Sequence, residues 1–279
     1  MSAVIVFDAD NTLWDTNAVF KKAQSNLLRV FAEAGLLNNP QDELGTLRKI
    51  DATLIKRTGQ FEYDFALLAI AIGHYYSGVT DVDASVSLTL KAHHSVSEDL
   101  IEASRAVFMR TLEEVPPLFC ETENVLRILK NNRSSQQPIV LIMFTDGDRL
   151  RIQRILDSYE PVKAAFDEVV IRKKTVQSFK QVRVLGLSKL KSFRNSASRI
   201  FMIGDSLKRD IGPSKRAGFI TIYRPADFLG AESPSNADES PDFRIDCLSE
   251  LPDLLRLNGV VLSMDPRKQV SKRTATSAS

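Results

Sequence analysis

Four times along this chain a short apolar run ends in polar side chains. Val4-Ile5-Val6-Phe7 leads into Asp8-Ala9-Asp10-Asn11-Thr12, and Val140-Leu141-Ile142-Met143-Phe144 leads into Thr145. Val169-Val170-Ile171 leads into Arg172-Lys173-Lys174, and Ile200-Phe201-Met202-Ile203 leads into Gly204-Asp205-Ser206, with Asp210 soon after. Short, continuously apolar runs rich in β-branched residues are the pattern of strands buried on both faces of a parallel sheet. Open parallel α/β sheets bind their ligands at the C-terminal ends of the strands. Two carboxylates, a hydroxyl, a cation and a further acidic pair converging on that edge suit phosphoryl transfer with a divalent metal.

The remaining chain supports such a sheet. Its 279 residues permit one large domain or two modest ones, and 43% are apolar, enough to fill a core. A formal net charge of +2 gives no electrostatic case for a nucleic-acid partner. Cys120 and Cys247 are far apart in sequence and lack metal-ligand spacing, so neither a disulfide framework nor a structural zinc site is expected, and a reducing, cytoplasmic setting is. No apolar run approaches the ~18 residues of a membrane span, and the first strand starts too early and ends too acidic for a signal peptide.

Between Asn17 and about Phe108 the apolar spacing turns helical. Phe20, Ala23, Leu27, Val30 and Phe31 mark one helix with Gly35 as its stop. Leu44 to Ile55, Phe65 to Ile72, Ala84 to His93 and Glu98 to Leu112 predict four more, with no strand among them. After Pro116-Pro117 strands and helices alternate. Strands are expected at Ile139 to Phe144, Glu168 to Ile171, Arg199 to Ile203 and Phe219 to Ile222. Helices are expected at Thr122 to Lys130, Arg149 to Ser158, Ser178 to Leu187 and Ile211 to Arg216. The predicted organisation is therefore a discontinuous α/β core, 1–15 and 114–262, with an all-helical insert, 16–113. Gly230 to Pro241 reads as a mobile loop and 263–279 as a disordered tail.

Each polar group has an ordinary reading beside the chemical one. Asp8 and Asp10 are two apart, so an extended segment points them the same way, and their mutual repulsion would split their pKa values. One could then stay an ionised nucleophile while the other carries a proton; the alternative is an acidic loop capping a helix near Thr12 or Asp15. Thr145 can grip a phosphoryl oxygen or cap a helix. Lys173 and Lys174 can neutralise phosphoryl charge or lie on a solvated basic run. In Gly204-Asp205-Ser206 the glycine allows close approach, Asp205 offers a hard oxygen ligand for Mg²⁺, and Asp210 lies one helical turn on, able to hold the lysine or a metal-bound water. No Walker-type loop and no Gly-x-Gly-x-x-Gly after the first strand offers a competing phosphate site.

In this order the motifs resemble those of the haloacid dehalogenase (HAD) superfamily. They are DxDxT at Asp8 to Thr12, a strand ending in Thr145, a lysine, and GDSxxxD at Gly204 to Asp210. The likeness extends through Pro116-Pro117-Leu118-Phe119, Thr145-Asp146-Gly147-Asp148 and Asp210-Ile211-Gly212-Pro213 to Ala217-Gly218. It implies a Rossmann-like sheet with an inserted helical C1-type cap, and Mg²⁺-dependent phosphatase chemistry through an aspartyl-phosphate. By carry-over Asp8 is the nucleophile and Asp10 the general acid and then base. Asp8, the Asp10 carbonyl and Asp205 hold the metal. Thr145 and the lysine bind the phosphoryl group. Lys174-Thr175 followed by Phe179 fits the family spacing better than Lys173, although the proline that often follows that lysine is absent.

Asp10 separates subfamilies, because a halide leaving group needs no proton and an alkoxide does. Phosphatase thus ranks above dehalogenase, with a small phosphorylated metabolite as partner. A phosphomutase shares all four motifs, and a catalytically silent HAD-fold binding protein is the alternative of a different class. Lys56 and Arg57, in an expected loop from Lys56 to Tyr63 between two insert helices, are candidates for substrate contact. Trp14 could wall the site or pack in the core, and His93-His94 read as solvated.

Overall fold

A computed structural model describes residues 2–59, 64–91, 96–132, 138–190, 198–226 and 232–262. The chain divides into two compact units, one of Met1–Asn17 with Pro116–Ser279 and the other of Ala18–Val115.

The second unit carries helices α1 (Thr16–Glu33, beginning in the first unit), α2 (Leu44–Thr58), α3 (Phe65–Tyr76), α4 (Val82–Leu90) and α5 (Glu98–Glu113). Helix α3 is apolar on every side and buried from Phe65 to His74 except at the half-buried Leu67, as suits a central helix, and α2, α4 and α5 pack on it. Leu27, Phe31, Leu47, Ile50, Leu54, Leu68 and Ile72 form the core. Helix starts are set by side-chain caps: Asp64 accepts from the Ala66 amide at 2.9 Å and Asp81 from the Ala84 amide at 2.7 Å. The Asp81 cap starts α4 at Val82, two residues before the apolar pattern suggests.

The expected loop from Lys56 is in part helical. Lys56 and Arg57 lie in the last turn of α2, where cations favour the helix dipole, and Arg57 pairs with Asp83 at 3.2 Å. Residues 60–63 of that loop, and His93-His94, lie outside the described residues.

The first unit is built on strands β1 (Ser2–Phe7), β2 (Ile139–Thr145), β3 (Glu168–Ile171), β4 (Ser198–Gly204), β5 (Ile220–Tyr223) and β6 (Phe243–Arg244). They form one all-parallel, six-stranded Rossmann-like sheet in the order β3-β2-β1-β4-β5-β6. Helices α6 (Thr122–Asn131), α7 (Arg149–Ser158), α8 (Glu160–Lys163), α9 (Val176–Leu190), α10 (Gly212–Arg216) and α11 (Leu251–Leu257) complete it. Every residue of β1 is buried: Ala3, Ile5 and Phe7 face one apolar layer, Val4 and Val6 the other. The chain leaves β1 for β2 and β3 on one side and returns to β4 on the other. The order therefore reverses between β1 and β4, the place where such sheets form their crevice.

Strand β6, helices α8 and α11, and a π-helical turn over Leu207–Ile211 were not legible in the apolar pattern. The described part of the expected loop at 230–241 includes a short 3₁₀ turn, Ala237–Glu239, capped by Asn236. The expected tail, 263–279, lies outside the described residues. Cys120 and Cys247, remote in sequence, are free thiols that donate to the two oxygens of one carboxylate, Glu121, at 2.7 and 2.8 Å. No helix among the described residues is long and apolar enough to cross a membrane.

Leu68 is fully buried in the central helix, whereas Leu257 is 85% exposed. Leu68→Ala should lower the unfolding free energy by about 2–5 kcal/mol. Leu257→Ala should change it by less than about 0.5 kcal/mol. Urea titrations of both variants check the assignment, and equal losses would contradict the placement of α3.

Candidate active site

Asp8 continues the ladder from β1, its amide donating to the Ile203 carbonyl of β4 at 2.8 Å. The chain then turns sharply, with Asn11 at φ +58°, a conformation asparagine tolerates. The loop closes on itself through Asn11 N–H to the Trp14 carbonyl at 2.8 Å. The Thr122 hydroxyl and the Phe119 amide both donate to the Leu13 carbonyl. From the far side, Arg224 donates to the Asn11 carbonyl at 2.7 Å, with its guanidinium 3.8 Å over the Phe119 ring.

Asp8 is buried and ion-paired with Lys174, whose Nζ also bonds Asp210 Oδ1 at 2.6 Å. The structure thus separates the adjacent lysines by burial and partner. Lys173 is exposed, and its carbonyl accepts from the Ser178 hydroxyl at 2.9 Å. Lys174 turns inward. Burial works against its charge, but Asp210 and Asp8 outweigh it and hold the ammonium above its usual pKa. Burial and the nearby Asp210 push the Asp8 carboxyl up to about 7, against the opposing pull of Lys174. Burial first, then Asp8 and Asp210, raise Asp205 as well.

Asp210 spends both oxygens, Oδ1 on Lys174 and Oδ2 on the Ser206 amide at 3.0 Å. Gly204 makes the room: a Cβ there would lie 2.5 Å from the Asp210 side chain. Asp205 Oδ1, by contrast, is buried without a hydrogen-bond donor. Thr145 is buried at the end of β2, and its hydroxyl oxygen accepts from the Gly147 amide at 3.2 Å. It does not cap α7; Asp148 does, accepting from the Arg151 amide at 2.9 Å.

Asp10 has different surroundings. Its Oδ1 accepts from Arg151 Nη1 at 2.9 Å, from the Trp14 indole at 3.0 Å and from the Thr16 hydroxyl. Burial favours its neutral form, but Arg151, Thr16 and Trp14 outweigh burial and hold the carboxyl below its usual range. Mutual repulsion between Asp8 and Asp10, the expectation from their spacing, is therefore not what separates them. Their partners do that. Oδ2 of Asp10 faces Gly147, where a Cβ would come within 3.3 Å of it. Trp14 is both a fully buried packing residue and a donor into the site.

Sequence reasoning missed three arginines. Arg151 lies in a helix start, Arg-Leu-Arg-Ile-Gln-Arg, that reads as an ordinary solvated surface. Arg224 follows β5 alone, and Arg209, 3.7 Å from Asp146, looked like a spacer within the acidic motif. Nothing in composition or period distinguishes them from surface cations.

Residues 3–218 match the family model of haloacid dehalogenase-like hydrolases, most of the chain. The chain belongs to that family. The hydrolase is 25% identical over 262 residues to the glyceraldehyde 3-phosphate phosphatase of Methanopyrus kandleri, covering 92% of this chain and 98% of that one. A HAD family hydrolase of Deinococcus radiodurans R1, solved with bound phosphate and sodium, has a TM-score of 0.58 at 16% identity, over 94% of this chain and 98% of that one. A HAD hydrolase of Bacillus subtilis bound to magnesium has a TM-score of 0.57 at 18% identity, over 91% and 98%. The two structural likenesses concern the fold.

The donor set of the hydrolase fits a hard cation. Carboxylate oxygens of Asp8, Asp205 and Asp210 all lie within 4.8 Å of one another. Within this trio Asp210 has both oxygens committed, whereas Asp205 offers an unpartnered one. Asp205 therefore has an oxygen available to a cation, whereas Asp210 is committed to Lys174 and the Ser206 amide.

Removing Lys174 would leave Asp8 and Asp210 facing each other, buried and without their cation. Lys174→Ala should cost about 3–5 kcal/mol of stability at neutral pH. Lys173→Ala should cost less than about 0.5 kcal/mol. Comparing both by thermal and urea unfolding distinguishes the two lysines independently of any assay.

Proposed function

We propose that this hydrolase is a Mg²⁺-dependent phosphatase acting on small phosphate monoesters through an aspartyl-phosphate. The observation that carries the reading is Asp10. Three donors hold one of its oxygens and leave the other, Oδ2, open beside Gly147. A carboxylate fixed in this way is placed to take a proton from water and, once protonated, to pass it to an alkoxide leaving group, a need that a halide does not have. The phosphatase named among its relatives, similar over nearly its whole length, supports the same choice over dehalogenation.

In this mechanism Asp8 attacks phosphorus while the ester P–O bond breaks, and Asp10 gives its Oδ2 proton to the departing oxygen. Water then attacks the phosphorylated Asp8. Asp10, now ionised, takes a proton from that water as the acyl phosphate is cleaved, and inorganic phosphate leaves with Asp8 restored. Lys174 and the Thr145 hydroxyl neutralise and hold the phosphoryl oxygens. A Mg²⁺ ion, held by Asp8, Asp205 and the main-chain carbonyl of Asp10, would supply the positive charge that lets an anionic nucleophile meet an anionic substrate. The helical unit, inserted between Asp10 and Thr145 in the sequence, would serve as the lid that admits substrate and excludes water.

Asp8→Asn should abolish Mg²⁺-dependent hydrolysis across a panel of phosphate esters while the protein stays folded. Asp10→Asn should lower turnover by about 10²–10⁴-fold. The loss should be smallest for esters whose leaving group needs no proton. A loss independent of leaving-group pKa, with phosphoryl transfer rate-limiting, would remove Asp10 from the acid role.

Metal binding has a readout of its own. Mg²⁺ at about 100 times its dissociation constant should add about 2.7 kcal/mol of stability. Asp205→Asn should lose most of that gain, read as a thermal shift in the absence of substrate. An undiminished shift would exclude Asp205 as a ligand.

A further inference from the structure

Asp10 Oδ1 is over-subscribed. It receives Arg151 Nη1 at 2.9 Å, the Trp14 indole N–H at 3.0 Å and the Thr16 hydroxyl. The two oxygens of a carboxylate offer about four lone-pair sites together, so one oxygen has about two and one donor is in excess. Trp14 and Thr16 are tied to Asp10 by the backbone. Trp14 is bridged to both Asp10 and Leu118, and the Thr16 amide donates to the Trp14 carbonyl. Arg151 reaches Asp10 from α7, 141 residues along the chain, on a long stem. Its other contact in the site, Nη2 to Thr16 Oγ1, is long at 3.3 Å. It is the donor that can leave without moving the loop.

Arg151 is also oddly placed for a structural cation. It lies in the first turns of α7, which begins Arg-Leu-Arg and carries no acidic residue in its first turn. The positive end of a helix dipole favours anions, as the Asp148 cap on the Arg151 amide shows, so a cation there costs stability unless an anion meets it. The Arg151 side chain is 12% exposed, buried enough to be held but open at one edge. Its partner Asp10 presents its free oxygen to the place where the leaving group must lie if Asp10 protonates it. Any substituent close to the ester oxygen then falls within reach of the guanidinium.

We propose that Arg151 binds a carboxylate on the leaving group, so that this hydrolase takes phosphate monoesters of short hydroxy acids. The inference rests on the phosphatase reading above. The planar fork of arginine suits two parallel hydrogen bonds to a carboxylate. As Arg151 turns to the substrate, Trp14 and Thr16 keep Oδ1 of Asp10 in place, and Oδ2 remains aligned for proton transfer. Recognition and acid catalysis are thereby joined through one side chain.

The test uses two ester probes with the same skeleton, 2-phosphoglycolate and 2-hydroxyethyl phosphate, which differ only in carboxylate against hydroxymethyl. With Mg²⁺ present, the wild-type protein should favour the carboxylate ester in kcat/KM by about 10- to 100-fold, the scale of a hydrogen-bonded charge pair. Arg151→Gln should bring the ratio close to one, and Arg151→Lys should give an intermediate value. A common loss on both esters with the ratio unchanged would overturn the proposal and leave Arg151 as a positioning residue for Asp10. A parallel measurement needs no turnover: calorimetric binding of 3-phosphonopropionate and 3-hydroxypropylphosphonate to wild type and Arg151→Gln. A carboxylate preference that vanishes in the variant supports the inference, and no preference in the wild type overturns it. Failure to hydrolyse any ester would refute the phosphatase reading separately, with the binding comparison still deciding the role of Arg151.

Discussion

Lys174 between Asp8 and Asp210 is the interaction around which the α/β unit is organised. Three acidic side chains are buried together where the strand order reverses, and in isolation such a group would drive the strand ends apart. One buried ammonium bonded to two of them makes the arrangement tolerable, though not neutral, and burial still lifts Asp8 towards 7. The third carboxylate, Asp205, keeps an oxygen without a partner. That unpartnered oxygen among three clustered carboxylates is what fits this edge to a hard cation. The same cation–carboxylate lattice that holds the strands' ends together thus also defines what the site can bind.

Around that lattice the surrounding loops act as stays. The loop after β1 is fixed from three directions: by its own backbone bonds, by the Phe119-to-Thr122 segment, and by Arg224 on the Asn11 carbonyl. This rigidity lets two aspartates two residues apart lead different lives. Asp8 continues the strand into a buried charge cluster. Asp10 lies past the bend, among a guanidinium, an indole and a hydroxyl. One carboxyl is raised and the other lowered, and the cause in each case is the set of partners the turn provides.

How much of this was legible varies with the range of the forces involved. Strand β3 and helix α7 follow the apolar pattern to the residue: half-burial at the sheet edge decides the strand, and an apolar face with the Asp148 cap decides the helix. Strand β6 is two residues long and pairs only at an edge, so it has no period to read. The π-helical turn after Ser206 is set by bonding between Asp210 and Ser206, and it appears in sequence as the start of an ordinary helix. The start of α4 moved because a cap, Asp81, outweighs the hydrophobic count at a helix end.

The sequence by itself determined the parallel sheet, the helical insert and the acidic character of the sheet edge. The sheet and its edge follow from short, continuously apolar runs that end in polar residues, the insert from the helical spacing of its apolar residues, and burial enforces both patterns. Only the tertiary structure decided which side chains meet. Lys174 reaches Asp8 across 166 residues, Arg151 reaches Asp10 across 141, and Arg224 reaches Asn11 across 213. Adjacent lysines are equivalent in composition and opposite in direction, and an arginine on a charged helix has no local mark of what it will touch. Those choices depend on strand register and loop closure, which bring distant residues within hydrogen-bonding distance only after the sheet has formed.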